Sequence, residues 1–246
     1  VPPLPDSADE RLSIAASVPL WLAKKVRRSY KGEAKAILSA PAPGVCVRFE
    51  RGEEEHLKGE YLKQPFEHVY LFKNFVRDSG YDRGDYTFQS VGSVAICSAI
   101  SPCERLLDAC AAPGGKSVLL SKKCGFVTSQ ELHPHRAELI KSYAVRMGAG
   151  NVAAVVGDAS AFNPDWAGSF DGGLCDVSCS GSGVINETPR LKLSRTGVDI
   201  STPAALQLKI LPTISPHVST VGCPYYPNRC QPSDRTYHVQ PTSLHP

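Results

Sequence analysis

The pattern of hydrophobic and polar positions changes near residue 100. Before that point, apolar residues recur at helical spacing from Glu10 to about Leu38, with Pro19 separating two predicted helices, and they then alternate over Val45–Phe49, which predicts a strand. Beyond it, short apolar runs alternate with helical segments. The first part therefore indicates a small α+β domain, and the second indicates an α/β fold in which helices cover both faces of a mostly parallel sheet.

Four strands are predicted in the second part, and small or acidic residues follow them. The predicted strands are Arg105–Cys110, Gly125–Glu131, Asn151–Val156 and Phe170–Val177. Helices are predicted between them over Lys116–Ser121 and His135–Met147. Because parallel sheets bind ligands at the carboxyl ends of their strands, the loops at those ends are the candidate binding segments.

The expected organisation is a linker over 1–16, a small α+β domain over 17–100, a second domain over 101–222 and an irregular tail over 223–246. The tail is assigned because aliphatic residues become rare beyond Gly222 while prolines recur. Such a composition rarely forms a buried strand or helix.

Composition narrows the class of protein. The chain has 246 residues, 42% of them hydrophobic, and no apolar run of about 18 residues, so a globular protein without a membrane span is expected. Its nine cysteines are an odd number without a secretory context, which favours buried thiols over a disulfide framework. The possible zinc ligands Cys175, Cys179, His133 and His135 fit no common zinc module, so no metal is expected.

The net charge is only +3, but basic residues are concentrated in residues 24–35, where Glu33 is the one acidic residue. The cluster consists of Lys24, Lys25, Arg27, Arg28, Lys31 and Lys35. Two interpretations stay open: a solvated helix face, or a surface that contacts nucleic-acid phosphates without reading their sequence.

The loop Asp108–Ser117 is rich in small residues and joins the first predicted strand to a helix, which lets a ligand approach the backbone closely. Its end, Gly115-Lys116-Ser117, matches a phosphate-binding P-loop. That motif requires glycine where Cys110 stands, and Pro113 removes an amide donor. The P-loop alternative is therefore disfavoured.

Acids and a thiol follow the other strands. Glu131 lies about 20 residues beyond the first loop, where an acid accepts hydrogen bonds from ribose hydroxyls; a helix-capping acid is the alternative. Asp158 follows the third strand and suits a base amino group. Asp176 and Cys179 lie in a glycine-flanked loop after the fourth strand, where a cysteine is a candidate reactive thiol.

Together these loops resemble the RNA cytosine-5 methyltransferases of the Sun/Nop (RsmB-like) type, most closely the bacterial enzymes that act on small-subunit ribosomal RNA. Asp108–Lys116 is similar to that family's S-adenosylmethionine loop, and Asp176–Gly183 to its Asp-Ala-Pro-Cys-Ser-Gly-x-Gly loop, with Ser178 in place of proline. The resemblance covers roughly 17–222. It continues in Pro19–Leu22, Val184–Pro189 and Leu206–Leu211.

The resemblance implies S-adenosylmethionine as cofactor and RNA, ribosomal in type, as partner. Glu131 would hold the ribose, Asp158 the adenine end, and Asp176 would lie between cofactor and target base. The residues implied to wrap the methionine part are Cys110, Ala111, Ala112, Pro113, Gly114, Gly115 and Lys116. The catalytic domain would be Rossmann-like and 17–100 a ferredoxin-like RNA-binding domain, in a monomeric cytoplasmic protein.

The family's reaction uses two cysteines. The target cytosine must be single-stranded or flipped out of its helix to reach them. A thiolate adds to C6 of cytosine, which makes C5 nucleophilic, and a second thiol assists product release. The second thiol lies in the Asp-x-Pro-Cys loop, here Cys179. The nucleophile lies in a later Thr-Cys motif.

This sequence departs from the family where the nucleophile is expected. After Gly222 the expected strand and Thr-Cys motif are replaced by a segment in which Pro224 and Pro227 disfavour a central strand. Cys230 lies beside the expected position and is the candidate nucleophile. We expect a truncated or altered C terminus, caused by a reading-frame change near Gly222, and an intact frame on resequencing would contradict this. Val1 likewise predicts an internal start.

Three functions therefore remain. The first is an active RNA cytosine-5 methyltransferase that uses Cys179 together with Cys230 or a displaced thiol as the nucleophile. The second is a catalytically impaired homologue that binds cofactor and RNA without turnover. The third is an unrelated methyltransferase acting on protein or small molecules, for which the Cys179 loop would be a coincidence.

Overall fold

The computed structural model describes residues 5–41, 44–177 and 198–225. These residues belong to two compact units. The first contains the described residues up to 41 and 198–206, and the second contains 44–177 and 207–225 with two β-sheets.

The first unit is a group of helices: α1 (Ala8–Ala16), α2 (Leu20–Tyr30) and α3 (Ala34–Leu38). Apolar side chains on one face of each helix meet in a common core, as amphipathic spacing predicts. Its buried members are Leu12, Ala16, Val18, Leu22, Ala23, Val26, Ala34 and Leu38. The prediction of a linker over 1–16 is therefore wrong for Ala8–Ala16, because this segment contributes buried side chains to the core.

The smaller sheet is antiparallel and is built from a β-α-β-β-α-β succession. Its elements are β1 (Val45–Phe49), α4 (Glu53–His56), β2 (Tyr61–Lys63), β3 (Val69–Phe72), α5 (Ser79–Asp82) and β4 (Tyr86–Phe88). The strand order is β2-β3-β1-β4. The aromatic-rich core contains Val47, Phe49, Tyr70, Phe72 and Tyr86.

The larger sheet is parallel, which confirms the predicted α/β fold, and its strand order β7-β6-β5-β8-β9 is Rossmann-like. Its strands are β5 (Arg105–Asp108), β6 (Phe126–Glu131), β7 (Val152–Val156), β8 (Phe170–Leu174) and β9 (Val218–Tyr225). Its helices are α6 (Val91–Ala99), α7 (Gly115–Leu120), α8 (Pro134–Arg146) and α9 (Val198–Ile214).

Both faces of the parallel sheet are buried, as its apolar runs predict. Consecutive residues of the central strand β5 show this directly, because side chains of a strand alternate between its faces. Leu106 packs with Ile96, Leu120 and Val127 on one face. Leu107 packs with a second cluster on the other face, whose members include Ala159, Phe170, Ile210 and Ile214.

The two sheets of the second unit are joined by polar contacts between the β4 region and α8. Arg146 Nη1 donates hydrogen bonds to the carbonyls of Tyr81 (2.6 Å) and Tyr86 (3.2 Å). Gly84 has a φ of +77°, and a Cβ there would lie 2.2 Å from the Arg146 carbonyl oxygen, so only glycine permits this approach. The boundary expected near residue 100 thus falls inside a compact unit, and the functional division at that point stays a prediction.

Strand β9 continues through Tyr225, which corrects the start of the predicted irregular tail. Pro224 lies in this strand, opposite Gly173 of β8. Among the described strands β9 pairs only with β8, so it is an edge strand, where the missing N–H of proline breaks no ladder bond. The rest of the predicted tail, 226–246, lies outside the described residues.

No helix in the described part of the chain combines the length and the apolar character that crossing a bilayer requires.

Candidate functional site

The candidate site lies at the carboxyl edge of the parallel sheet, where the sequence placed it. Asp108 and Glu131 are the last residues of β5 and β6. The Cys110 thiol, in the loop after β5, interacts electrostatically with Asp108, Glu131 and Asp176. The structure therefore brings three of the predicted carboxylates around one loop.

The loop between β5 and α7 is held by backbone hydrogen bonds to both neighbouring strands. The Ala109 amide donates to the Leu174 carbonyl of β8 (2.9 Å), and the Ala111 amide donates to the Gln130 carbonyl of β6 (3.0 Å). The Gly114 amide closes the turn onto the Ala111 carbonyl (2.8 Å). These bonds order the loop without using the side chains that face a ligand.

Gly114 sits where this loop enters α7 and is required there for two reasons. Its φ is +109°, a conformation that L side chains rarely adopt. A Cβ at this position would also lie 3.2 Å from Cα of Ile140 in α8. The glycine thus allows the loop and α8 to approach closely.

Asp108 is the most perturbed carboxyl group of the site. It is 1% exposed, and its Oδ2 accepts a hydrogen bond from the Ser117 hydroxyl (2.7 Å), while Oδ1 has no partner among the described residues. Burial raises the pKa of Asp108 to about 6, although the Ser117 bond and the Lys116 charge act in the opposite direction. The buried free oxygen is a feature that a cationic ligand would satisfy.

Lys116 and Asp176 form an ion pair at the mouth of the site. Lys116 Nζ lies 2.5 Å from Asp176 Oδ2, and both side chains are partly exposed, at 24% and 19%. This pair joins the start of α7 to the segment after β8. Both side chains are accessible enough to form a contact with a ligand in place of this ion pair.

The other two predicted acids occupy different environments. Glu131 is buried, and its Oε1 accepts hydrogen bonds from the His133 amide (3.1 Å) and Arg136 Nη1 (3.2 Å). Both of these bonds reach the same carboxylate oxygen. Asp158 is exposed, and hydrogen bonds from the Ser160 amide and hydroxyl lower its pKa.

The described cysteines near the site are protected thiols. Burial and the neighbouring carboxylates raise the pKa of Cys110 to about 12, and burial with the same kind of neighbours raises the pKa of Cys175 well above its ordinary value. A thiol in this state contains almost no thiolate at neutral pH and is a poor nucleophile. The predicted catalytic residues Cys179 and Cys230 lie outside the described residues.

A buried polar chain that the sequence did not reveal ends at the same loop. Arg48 Nε donates to Gln89 Oε1 (2.7 Å), and Gln89 Nε2 donates to the Gly115 carbonyl (3.1 Å). Arg48 and Gln89 are 3% and 7% exposed. This chain ties strand β1 of the small sheet to the first turn of α7. In the sequence, the only sign of this polar chain was Arg48, a charged residue within the apolar predicted strand Val45–Phe49.

Within the described part of the chain, no group of three or more His, Cys, Asp or Glu side chains is placed to hold a metal ion. Of the zinc ligands considered above, Cys179 lies outside those residues.

The chain is similar in sequence to ribosomal RNA methyltransferases. The sequence profile of the family described as 16S rRNA methyltransferase RsmB/F matches residues 95–233. A Bacillus subtilis protein named "Probable ribosomal RNA small subunit methyltransferase B" is 32% identical over 237 residues, which are 88% of this chain and 53% of that protein. The chain spans about half the length of such bacterial relatives.

Two further similarities agree. A mouse protein named 28S rRNA (cytosine-C(5))-methyltransferase is 34% identical over 136 residues, 53% of this chain and 17% of that protein. A methyltransferase homologue from Pyrococcus horikoshii has the same fold, with a TM-score of 0.73 at 19% identity, over 87% of this chain and 74% of that one.

Proposed function

Because the chain belongs to the 16S rRNA methyltransferase RsmB/F family, we propose that it transfers a methyl group to C5 of a cytosine in RNA, with small-subunit ribosomal RNA as the substrate class. The observation that carries the proposal is the convergence of Asp108, Glu131 and Asp176 on the small-residue loop at the carboxyl edge of the sheet. The match to the family includes this whole edge.

The residues at this edge fit S-adenosylmethionine, which would supply the methyl group. Two buried oxygens there, Asp108 Oδ1 and Gln130 Oε1, have no partner in the described structure and are available to a ligand's donors. Cys110 to Lys116 would surround the methionine part, Glu131 would accept hydrogen bonds from the ribose hydroxyls, and Asp158 would contact the adenine end.

We assign the covalent chemistry to Cys230 as nucleophile and Cys179 as the thiol that assists release. The thiolate forms a bond to C6, and the electrons of the C5–C6 double bond make C5 nucleophilic. After C5 has gained the methyl group and lost its proton to a base, the sulfur leaves C6 and the double bond forms again. Asp176, paired with Lys116, would lie beside the target base.

The small sheet and the helices before it would bind the RNA. We propose that 17–100 includes a ferredoxin-like RNA-binding domain, which the β-α-β-β-α-β succession of the small sheet supports. That the protein acts as a monomer in the cytoplasm also stays a prediction.

A covalent trap tests the reaction. RNA containing 5-fluorocytosine cannot lose a proton from C5, so an active enzyme with S-adenosylmethionine is expected to remain bonded to it on a denaturing gel. Cys230→Ala is expected to abolish this adduct. Cys179→Ala is expected to keep it, and also to accumulate an adduct with ordinary RNA because release is slowed.

The alternative function is a catalytically impaired homologue. It is favoured by the absence of a Thr-Cys sequence around Cys230. A protein that binds S-adenosylmethionine and RNA but forms no adduct with 5-fluorocytosine RNA would establish it. An adduct that survives in Cys230→Ala would instead show that another thiol is the nucleophile.

Gln89→Leu is expected to weaken cofactor binding through the backbone of the loop. The change removes the hydrogen bonds that Gln89 forms with Arg48 Nε and with the Gly115 carbonyl, and a lost buried hydrogen bond costs about 1–3 kcal/mol. If about 1 kcal/mol of this cost destabilises the cofactor-bound form relative to the free form, the Kd for S-adenosylmethionine rises roughly fivefold.

Calorimetry on Gln89→Leu and on the control Gln64→Leu checks this expectation. Gln64 directly follows strand β2 of the same small sheet, and its side-chain Nε2 donates to the nearby Leu62 carbonyl (3.0 Å) rather than to the site. A purely structural role for Gln89 would lower Tm and leave the Kd unchanged, and that result would contradict the positioning role.

A further inference from the structure

Helix α2 carries a stripe of cations on the side opposite its buried face. Leu22, Ala23 and Val26 pack into the helical core. Lys24, Arg27 and Arg28 are exposed, and Lys31 continues the stripe just beyond the end of the helix. Their spacing of three and four residues places these four side chains next to one another.

The stripe lines a cleft whose walls are all charged. The cleft has a volume of about 510 Å³ and is lined by Asp9, Lys24, Arg27, Arg28 and Lys31. Arg27 Nε pairs with Asp9 Oδ1 at 2.5 Å. Within the described part of the chain, Lys24, Arg28 and Lys31 form no ion pair. Asp9, which also attracts Lys24 and Arg28, is the one acidic side chain that lines the cleft, so its four cations leave three positive charges in excess.

Local stability does not explain this arrangement. Like charges spaced by four residues, such as Lys24 and Arg28, destabilise a helix by about 0.2–0.5 kcal/mol for each pair. The helix dipole favours cations in the last turn, which accounts for Arg27 and Arg28 but not for Lys24. Lys31 also has a φ of +47°, a backbone conformation that glycine tolerates and other residues rarely adopt. The next residue is a glycine, Gly32, yet the strained position is occupied by the lysine. Such strain in a lysine is typical of functional sites.

We propose that this cleft binds backbone phosphates of the RNA substrate. The proposal rests on the proposed function for the identity of the RNA. Unpaired Lys and Arg side chains in a row match a row of phosphates and read no sequence. An anionic membrane fits less well, because a helix that lies on a bilayer inserts its apolar face, and the apolar face of α2 is already buried in the core.

The test compares two charge-matched double variants of the full chain. Lys24→Gln/Arg28→Gln removes two cations from the cleft. Arg11→Gln/Lys35→Gln removes two exposed cations from α1 and α3 of the same unit, outside the cleft. Binding of a fluorescein-labelled 20-nucleotide polyuridine is measured by anisotropy between 0.1 and 1 M KCl, and Tm shows that each variant is folded.

The cleft variant is expected to lose two phosphate contacts. Each contact to single-stranded nucleic acid contributes about 0.7 to the slope of log affinity against log salt, so the slope should become shallower by about 1.4 and affinity at 0.1 M should fall roughly 25-fold. The control variant should stay within about twofold of the wild type, since it retains the contacts. Equal losses in both variants would overturn the proposal, because they would reflect net charge alone.

Two parallel measurements separate the possible failures. Phosphatidylglycerol vesicles test the membrane alternative, and vesicle binding that is lost in the cleft variant while RNA binding is retained would overturn the proposal. Methyl transfer from labelled S-adenosylmethionine to ribosomal RNA is measured with the wild type. Its absence, together with the expected RNA-binding difference, would refute the proposed reaction but not the RNA-binding cleft.

Discussion

Replacing Gly114 by valine is expected to abolish measurable S-adenosylmethionine binding and to lower the free energy of unfolding by at least about 3 kcal/mol. The φ of +109° is strained for any side chain and most of all for a β-branched one. The added Cβ also meets Cα of Ile140 at 3.2 Å, and a helix backbone cannot move aside as a flexible side chain can. Thermal unfolding should show a Tm lower by roughly 6–12 °C.

Two control glycines separate backbone strain from steric conflict. Gly148 has a φ of +69° with nothing within 4 Å of an added Cβ, so Gly148→Ala should show strain alone, about 1 kcal/mol. Gly115 lies in the same loop, and the nearest atom to an added Cβ, the Tyr143 hydroxyl, is 3.4 Å away, so Gly115→Ala should unfold close to the wild type. A Gly114→Val protein with unchanged Tm and unchanged Kd by calorimetry would refute the loop as the cofactor site.

Asp108→Asn is expected to remove a distinct component of the pH dependence of stability. Burial raises the pKa of Asp108 from 3.8 to about 6 in the folded protein. The folded state then holds a proton that the unfolded state has released, so this group's contribution to stability is complete below about pH 4 and is lost as pH rises through about 6. The free energy of unfolding of the wild type, relative to Asp108→Asn, should fall by about 3 kcal/mol between pH 4 and 7.

Denaturant unfolding at a series of pH values measures this difference. Ser117→Ala removes the hydrogen bond that lowers the pKa, so its transition should move to higher pH. Asp165→Asn, an exposed carboxylate outside the site, serves as the control and should not remove the difference. If the difference in free energy of unfolding between wild type and Asp108→Asn does not vary with pH, the pKa of Asp108 is not raised by folding and the prediction is wrong.

The same titration should appear in cofactor binding. S-adenosylmethionine carries a positively charged sulfonium, so it is expected to favour the ionised form of Asp108 and to bind more tightly as pH rises through about 6. By linkage, affinity gains up to about tenfold for each pKa unit by which the ligand lowers the pKa of this carboxyl group. In Asp108→Asn the pH dependence over this range should disappear.

The strands and the site edge were predictable because they depend on local patterns. Leu106 and Leu107 belong to one apolar run, and such a run predicts a strand with both faces buried. Once the strands are parallel, Asp108 and Glu131 must lie at one edge, since both end their strands. The small-residue loop between β5 and α7 was likewise readable from its composition.

Other features depend on distant residues and could not be read from spacing. The proline that disfavoured a strand, Pro224, is accommodated because β9 is the edge of the described sheet, which is a property of strand order. A helix was predicted from Glu10 onward, but this segment was also assigned to a linker, because its burial depends on packing against α2 and α3. Gln89 reaches Gly115, 26 residues away, only through the packing of the two sheets.

The sequence by itself therefore determined four strands of the parallel sheet and the residues at its carboxyl edge, because hydrophobic period and loop composition act over a few residues. The tertiary structure alone decided what surrounds them: the close approach of Gly114 to Ile140, the buried and partly unpaired state of Asp108, and the all-charged cleft beside α2. Those properties arise from contacts between segments far apart in the chain, and local periodicity carries no information about such contacts.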